Sequence, residues 1–131
     1  MTSTRAKVFE YVVEVDRGGR MTVPGGAQIE RPEGWSPDHL LLAALVRCSI
    51  DSLVHHARRA GHEASVSGSA QGTITKRDSD DRYAFVEIQV ALDVELSPRA
   101  DGHTELIARA ERDCFVGASL TIKPTYTWRV A

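Results

Sequence analysis

Ser36-Pro37-Asp38-His39-Leu40-Leu41-Leu42-Ala43-Ala44-Leu45-Val46-Arg47-Cys48 is the stretch whose reading decides the fold. Serine is a strong N-cap, proline suits the first helical position, and aspartate is favoured at the positive end of the helix dipole. The helix runs on to about Ala60, where Gly61 supplies a C′ stop. In its first half Leu40, Leu41, Leu42, Ala43, Ala44, Leu45 and Val46 point in every direction of the helical wheel, the pattern of burial all round. Farther on, Arg47, Asp51 and Arg58 share one face and mark where the helix reaches solvent. Such a helix is central and needs wrapping, by sheet or by another chain.

Outward from it, residues 8–15 are β-rich and mostly alternating. The turn Asp16-Arg17-Gly18-Gly19 leads into a second strand, residues 20–23, as in a hairpin. A short strand over 27–30 fits between Gly25-Gly26 and Pro32-Glu33-Gly34. Beyond Gly61, residues 64–75 alternate small and polar side chains, 77–81 make a tight polar turn, and 83–94 read as a long strand. These form a second hairpin, which Ser97-Pro98 ends. A helix capped by Asp101 or Thr104 carries Leu106, Ile107 and Ala110 towards Cys114. Residues 116–120 suit a short helical turn, and after Pro124 residues 126–130 are a final strand. The order β-β-(β)-α-β-β-α-β reads as a single α+β domain over 1–131, without linker or repeat.

A length of 131 residues suffices for one domain with its own core. The net charge of −2 gives no electrostatic reason to expect nucleic acid or an anionic membrane as partner. No unbroken apolar stretch approaches the ~18 residues that cross a bilayer. The first eight residues lack the apolar core of a secretory signal. Two cysteines without an export signal point to a reducing cytoplasm, where a disulfide is transient rather than structural.

Each cysteine occupies a setting that redox chemistry uses. Cys48 lies in the apolar helical run and Cys114 ends a second amphipathic one. A helix-borne thiol and a distant second thiol suit attacking and resolving partners in peroxide or disulfide chemistry. The plainer alternative is two buried cysteines acting as small hydrophobes. Other candidates carry less. His55 and His56 diverge on a helix and, with His62, find no further ligands at metal spacing, so neither metal nor cofactor is expected. Asp51, Ser52 and His55 lie on one helix and do not converge as a hydrolytic triad does. Trp35, Phe115 and Tyr126 read as core or interface residues, and Trp35 and Phe115, beside the motifs, also suit the walls of an apolar channel. Gly18-Gly19 is too short for a phosphate loop and precedes a strand.

The run from Ser36-Pro37-Asp38 to Cys48 resembles the central-helix signature of the osmotically inducible protein C and organic hydroperoxide resistance (OsmC/Ohr) superfamily. There a Pro-Glu pair opens an apolar helix and a cysteine follows ten residues after the acid, as Cys48 follows Asp38. Cys114-Phe115-Val116-Gly117-Ala118-Ser119-Leu120 resembles the second cysteine signature, and Gly18-Gly19-Arg20 the arginine-bearing turn. The resemblance covers nearly the whole chain, in order. It implies an OsmC-like fold of antiparallel sheets wrapped around a long central helix, in an intertwined homodimer with composite sites.

The resemblance also implies a thiol peroxidase that reduces organic hydroperoxides to alcohols, re-reduced by an external thiol or a lipoylated protein. Carried over by motif, Cys48 is the peroxidatic thiolate and Cys114 the resolving thiol. Arg20 stabilises the thiolate and Asp38 holds the arginine. A free thiol ionises near pH 8.5, so a nearby cation is what makes it a nucleophile at neutral pH. Departures exist: Asp38 replaces glutamate, Arg47 precedes Cys48 where a small residue is usual, Phe115 replaces proline, and Arg17 competes with Arg20. Two rival readings remain, a hot-dog-like acyl thioesterase depending on Asp38 and a non-catalytic binder of hydrophobic ligands.

Overall fold

In the computed structural model, which describes residues 5–131, the chain forms two compact units that divide between Ser36 and Pro37. The smaller unit is a meander of three short antiparallel strands, β1 (Glu14–Val15), β2 (Arg20–Thr22) and β3 (Gln28–Glu30). The expected turn forms: Gly19 N–H donates to the Asp16 carbonyl, Arg20 N–H to Asp16 Oδ1, and Gly19 takes φ 87°. Residues with a Cβ rarely adopt that angle, which explains the glycine. The first strand is shorter than the sequence predicts. Only its last two residues pair, and Val8, Tyr11, Val12 and Val13 are exposed apolar side chains. A β-rich segment without a neighbouring strand has nothing to satisfy its backbone, so composition alone does not make it a strand.

In the larger unit, helix α1 spans Pro37–Arg59, within a residue of expectation. Its end is a Schellman motif: His62 N–H reaches the Ala57 carbonyl, Gly61 N–H reaches Arg58, and Gly61 has φ 89°. Strands β4 (Glu63–Lys76) and β5 (Tyr83–Ser97) make the predicted antiparallel hairpin. Along β5 the period of two is strict: Ile88, Val90, Leu92, Val94 and Leu96 are buried, while Glu87, Gln89, Asp93 and Glu95 face out. Helix α2 (Thr104–Arg112) and the short α3 (Phe115–Ser119) then return the chain to β6 (Thr125–Val130). His103, rather than Asp101 or Thr104, occupies the N-cap of α2, without a side-chain cap.

The second sheet is not wholly antiparallel. Its order is β4-β5-β6, and β6 runs parallel to β5, with Val90 opposite Tyr126 and Leu92 opposite Trp128. The physical reason is the crossover: α2 and α3 carry the chain back to the end where β5 began, so the next strand must run in the same direction.

Helix α1 buries the stripe Leu45, Ser49, Leu53 and Ala57, spaced four apart. Leu45 joins Ile88, Val90, Leu92 and Cys114 in one core cluster; Leu53 and Ala57 join Val94, Leu96 and Ala110 in another. Burial all round is not seen within the chain: Ala43 and Ala44 are exposed and Leu40, Leu41 and Leu42 half-buried, because a single sheet covers one side of a helix. By length and mean hydropathy α1 would suffice to cross a membrane, although its longest unbroken apolar run, Leu40 to Val46, falls far short of the ~18 residues that a bilayer needs. Its buried stripe is taken up by the sheet. Two glycines let that sheet come close. A Cβ on Gly68 would lie 3.2 Å from Val46 Cγ1, and one on Gly72 would lie 3.4 Å from Leu42 Cδ2.

Candidate functional site

Cys48 sits on α1 one residue before the buried stripe and is half-buried. Cys114 ends the α2 segment, caps α3 and is fully buried. The fold brings the two side chains into contact across α1 and α3, and both are free thiols. Around Cys114 the polar groups are few and specific. Gly117 N–H donates to its Sγ at 3.4 Å, and Ser49 Oγ lies 3.6 Å from it. Ser49 itself donates to the Leu45 carbonyl at 2.8 Å.

Burial pushes the Cys48 thiol up from its ordinary value, and the neighbouring Cys114 adds to the rise. The backbone N–H groups of Val116 and Phe115 oppose it without reversing it. Within residues 37–131 no cation acts on Cys48. Arg47, next to it in sequence, points to solvent and pairs with Asp51 at 3.3 Å, as helical geometry predicts.

The other residues singled out by sequence lie as follows. Arg20 opens β2 and pairs with Glu30, its register partner on β3, at 3.4 Å; Arg17 stands in the preceding turn. Asp38 is exposed in the first turn of α1 and lines a pocket of about 310 Å³ with Leu41, Ile74, Tyr83, Phe85 and Leu120. Asp113, the neighbour of Cys114 in sequence, turns its carboxylate to other partners. It meets Arg112 at 3.0 Å and His56 Nε2 at 2.8 Å. Those partners, Arg112 first, hold its carboxyl below the usual carboxylate range. Phe115 and Trp35 are both substantially exposed. Among the described residues no group of three His, Cys, Asp or Glu side chains is arranged to hold a metal.

Sequence reasoning missed two neighbours of Cys114. Ser49 is the one polar member of the buried α1 stripe, a signal visible in the sequence. Tyr126, read as core, has its hydroxyl beside the side chains of Ser49 and Cys114. Burial, the largest influence, raises the tyrosine above its ordinary value.

Residues 30–129 match the family of OsmC-like proteins. The chain belongs to that family. The match crosses both units and includes α1, both cysteines and Asp38, but leaves Arg20 outside. Solved structures agree at the level of the fold. An OsmC-like protein from Mycoplasma pneumoniae is 17% identical, with 97% of this chain and 99% of that one covered at a TM-score of 0.72. The organic hydroperoxide resistance protein OhrB of Bacillus subtilis is 20% identical over 93% and 96%, at 0.56. An organic hydroperoxide resistance protein from Legionella pneumophila is 17% identical over 96% and 99%, at 0.61. No curated protein is similar enough to match. At these identities an OsmC-like fold follows, and the activity has to be argued from the residues.

Proposed function

We propose that this OsmC-like protein is a cysteine-based peroxidase that reduces organic hydroperoxides to alcohols. The observation that carries the reading is the contact between Cys48 and Cys114, two thiols far apart in sequence. Cys48 thiolate attacks the terminal peroxide oxygen, the O–O bond breaks, the alcohol leaves after taking up a proton, and Cys48 becomes a sulfenic acid. Cys114 then displaces hydroxide from that sulfur, forming the disulfide and water before further oxidation. An external dithiol or lipoylated protein returns both thiols, and no bound cofactor is required. Solved relatives named as organic hydroperoxide resistance proteins support this substrate class.

The same reading takes the active form to be a cytoplasmic homodimer in which Arg20 and Asp38 complete the site. Asp38 and Cys48 are ten residues apart on one helix, about 15 Å along its axis, a gap that one arginine does not bridge. Antiparallel packing of two α1 helices would bring Asp38 of one chain towards Cys48 of the other. Exposed apolar side chains support a partner chain, among them Val8 at 79% and Tyr11 at 80% exposure. Sedimentation is expected to give a dimer; a stable monomer at micromolar concentration removes the composite site.

The test of the activity is a thiol-coupled assay with tert-butyl hydroperoxide. Wild type should consume the peroxide and Cys48→Ser should not. Equal consumption by both, or none by either, overturns the proposal, and acyl-thioester hydrolysis that survives Cys48→Ser but depends on Asp38 would favour the thioesterase reading.

A further inference from the structure

We propose that Tyr126 is a further catalytic residue of this chemistry: its hydroxyl passes the Cys114 proton to the hydroxide leaving Cys48 as the disulfide closes, with Ser49 positioning both. The inference rests on the peroxidase reading and concerns its second step.

Closing the disulfide joins the two sulfurs and breaks the S–O bond of the Cys48 sulfenic acid. The Cys48 sulfur is reduced by one, the Cys114 sulfur is oxidised by one, and the Cys114 proton joins the departing hydroxide as water. No outside oxidant or base enters. The difficulty is local, because Cys114 is 0% exposed and bulk water does not reach its proton. A neutral hydroxyl that accepts one proton while giving up another solves this without creating a buried charge.

Tyr126 stands at the Cys114 end of this transfer. Its hydroxyl contacts both Cys114 and Ser49. A Cβ built on Gly117 would lie 3.0 Å from Tyr126 Oη and 3.4 Å from Cys114 Sγ, so the two atoms share one small space that the glycine keeps open. Ser49 has committed its hydroxyl hydrogen to the Leu45 carbonyl and therefore turns lone pairs to its neighbours. The tyrosine ring is held in turn: it stacks on Trp128 with centroids 6.0 Å apart and planes 17° apart. Trp128 Nε1 donates to Glu111 at 2.7 Å. Because burial raises the phenol, it stays protonated and ready to donate.

The test follows the two steps separately. Reduced wild type and Tyr126→Phe are mixed with tert-butyl hydroperoxide and quenched over time, with dimedone trapping of sulfenic acid and peptide mapping of the disulfide. In Tyr126→Phe the disulfide should close at least about tenfold more slowly relative to sulfenic acid formation in the same sample. Its closing rate should also climb with pH, as hydroxide replaces the relay, where wild type is flat. A merely structural role for Tyr126 would not create that pH dependence. Gly117→Ala, which crowds the hydroxyl but keeps it, should show a smaller change in the same direction and serves if Tyr126→Phe folds poorly. Closing at the wild-type rate and with the wild-type pH profile in both variants overturns the relay alone. Wild type that forms no sulfenic acid on Cys48 overturns the peroxidase reading and the relay with it.

Discussion

Replacing Gly68 by alanine tests how closely α1 must approach the sheet. The added Cβ would sit 2.7 Å from Leu92 Cδ2, 2.9 Å from the Ala91 carbonyl oxygen and 3.2 Å from Val46 Cγ1. The first and third neighbours are side-chain tips, but Leu92 is 1% exposed in the main core cluster and has nowhere to turn. The second is backbone of β5, on the residue before Leu92, the register partner of Gly68, and does not yield without disturbing the ladder. Overpacking of this kind costs about 1–3 kcal/mol. Alanine recovers about 0.5–1 kcal/mol through the lower entropy of the unfolded chain. The net expectation is a loss of up to about 2.5 kcal/mol, centred near about 1 kcal/mol, read as a lower urea midpoint at unchanged m-value. Gly102→Ala, with nothing within 4 Å of its Cβ, is the control and should melt within about 0.5 kcal/mol of wild type. Gly68→Ala melting at or above wild type would refute the view that glycine is there to let Val46 lie against β4.

Iodoacetamide should modify Cys48 before Cys114 in the native protein, because Cys48 is half-buried and Cys114 wholly so; mass spectrometry giving the reverse order would exchange their roles. Asp113→Asn should destabilise the protein at neutral pH by an amount that shrinks in acid. The folded-state carboxyl ionises below its unfolded value because of Arg112 and then His56. Its contribution is therefore complete above the ordinary carboxylate range and is lost as pH falls through the lowered value. A variant that stays equally destabilised at pH 2, measured by denaturant melts, would show that charge is not the cause.

The limits of α1 were legible because they are set by local chemistry: Pro37 at the start, and Gly61 at φ 89° at the stop. The β4–β5 hairpin was legible for the same reason, its strands alternating on either side of a polar turn. The direction of β6 was not, since six alternating residues carry no mark of whether their neighbour runs with or against them. Residues 8–13 misled because β propensity describes fitness for a pleated surface, and no strand of the smaller sheet lies beside them. At the site, the two cysteines stood out as the chain's only thiols. Ser49 was visible as a polar break in an apolar stripe at helical spacing. The inward alternation of Tyr126 is written in β6, but where its hydroxyl lands depends on the crossover that brings β6 beside β5, which is tertiary information.

The state of Cys48 says most about what the active protein requires. Burial raises this thiol, and the N–H groups of Val116 and Phe115 do not cancel the effect. A peroxidatic cysteine needs the thiolate, so under the proposed function a positive charge has to come from outside residues 37–131. One cation about 4 Å away at an effective dielectric near 20 is worth about 4 kcal/mol, close to three orders of magnitude in an ionisation constant. That acts against the rise caused by burial, in the direction a thiolate needs. Arg20 is suited to supply it, since its present partner Glu30 is a 3.4 Å pair between side chains 59% and 73% exposed. Exposed pairs of this kind are worth about 0–1 kcal/mol, so Arg20 can leave Glu30 at little cost once a thiolate and the Asp38 carboxylate are in reach.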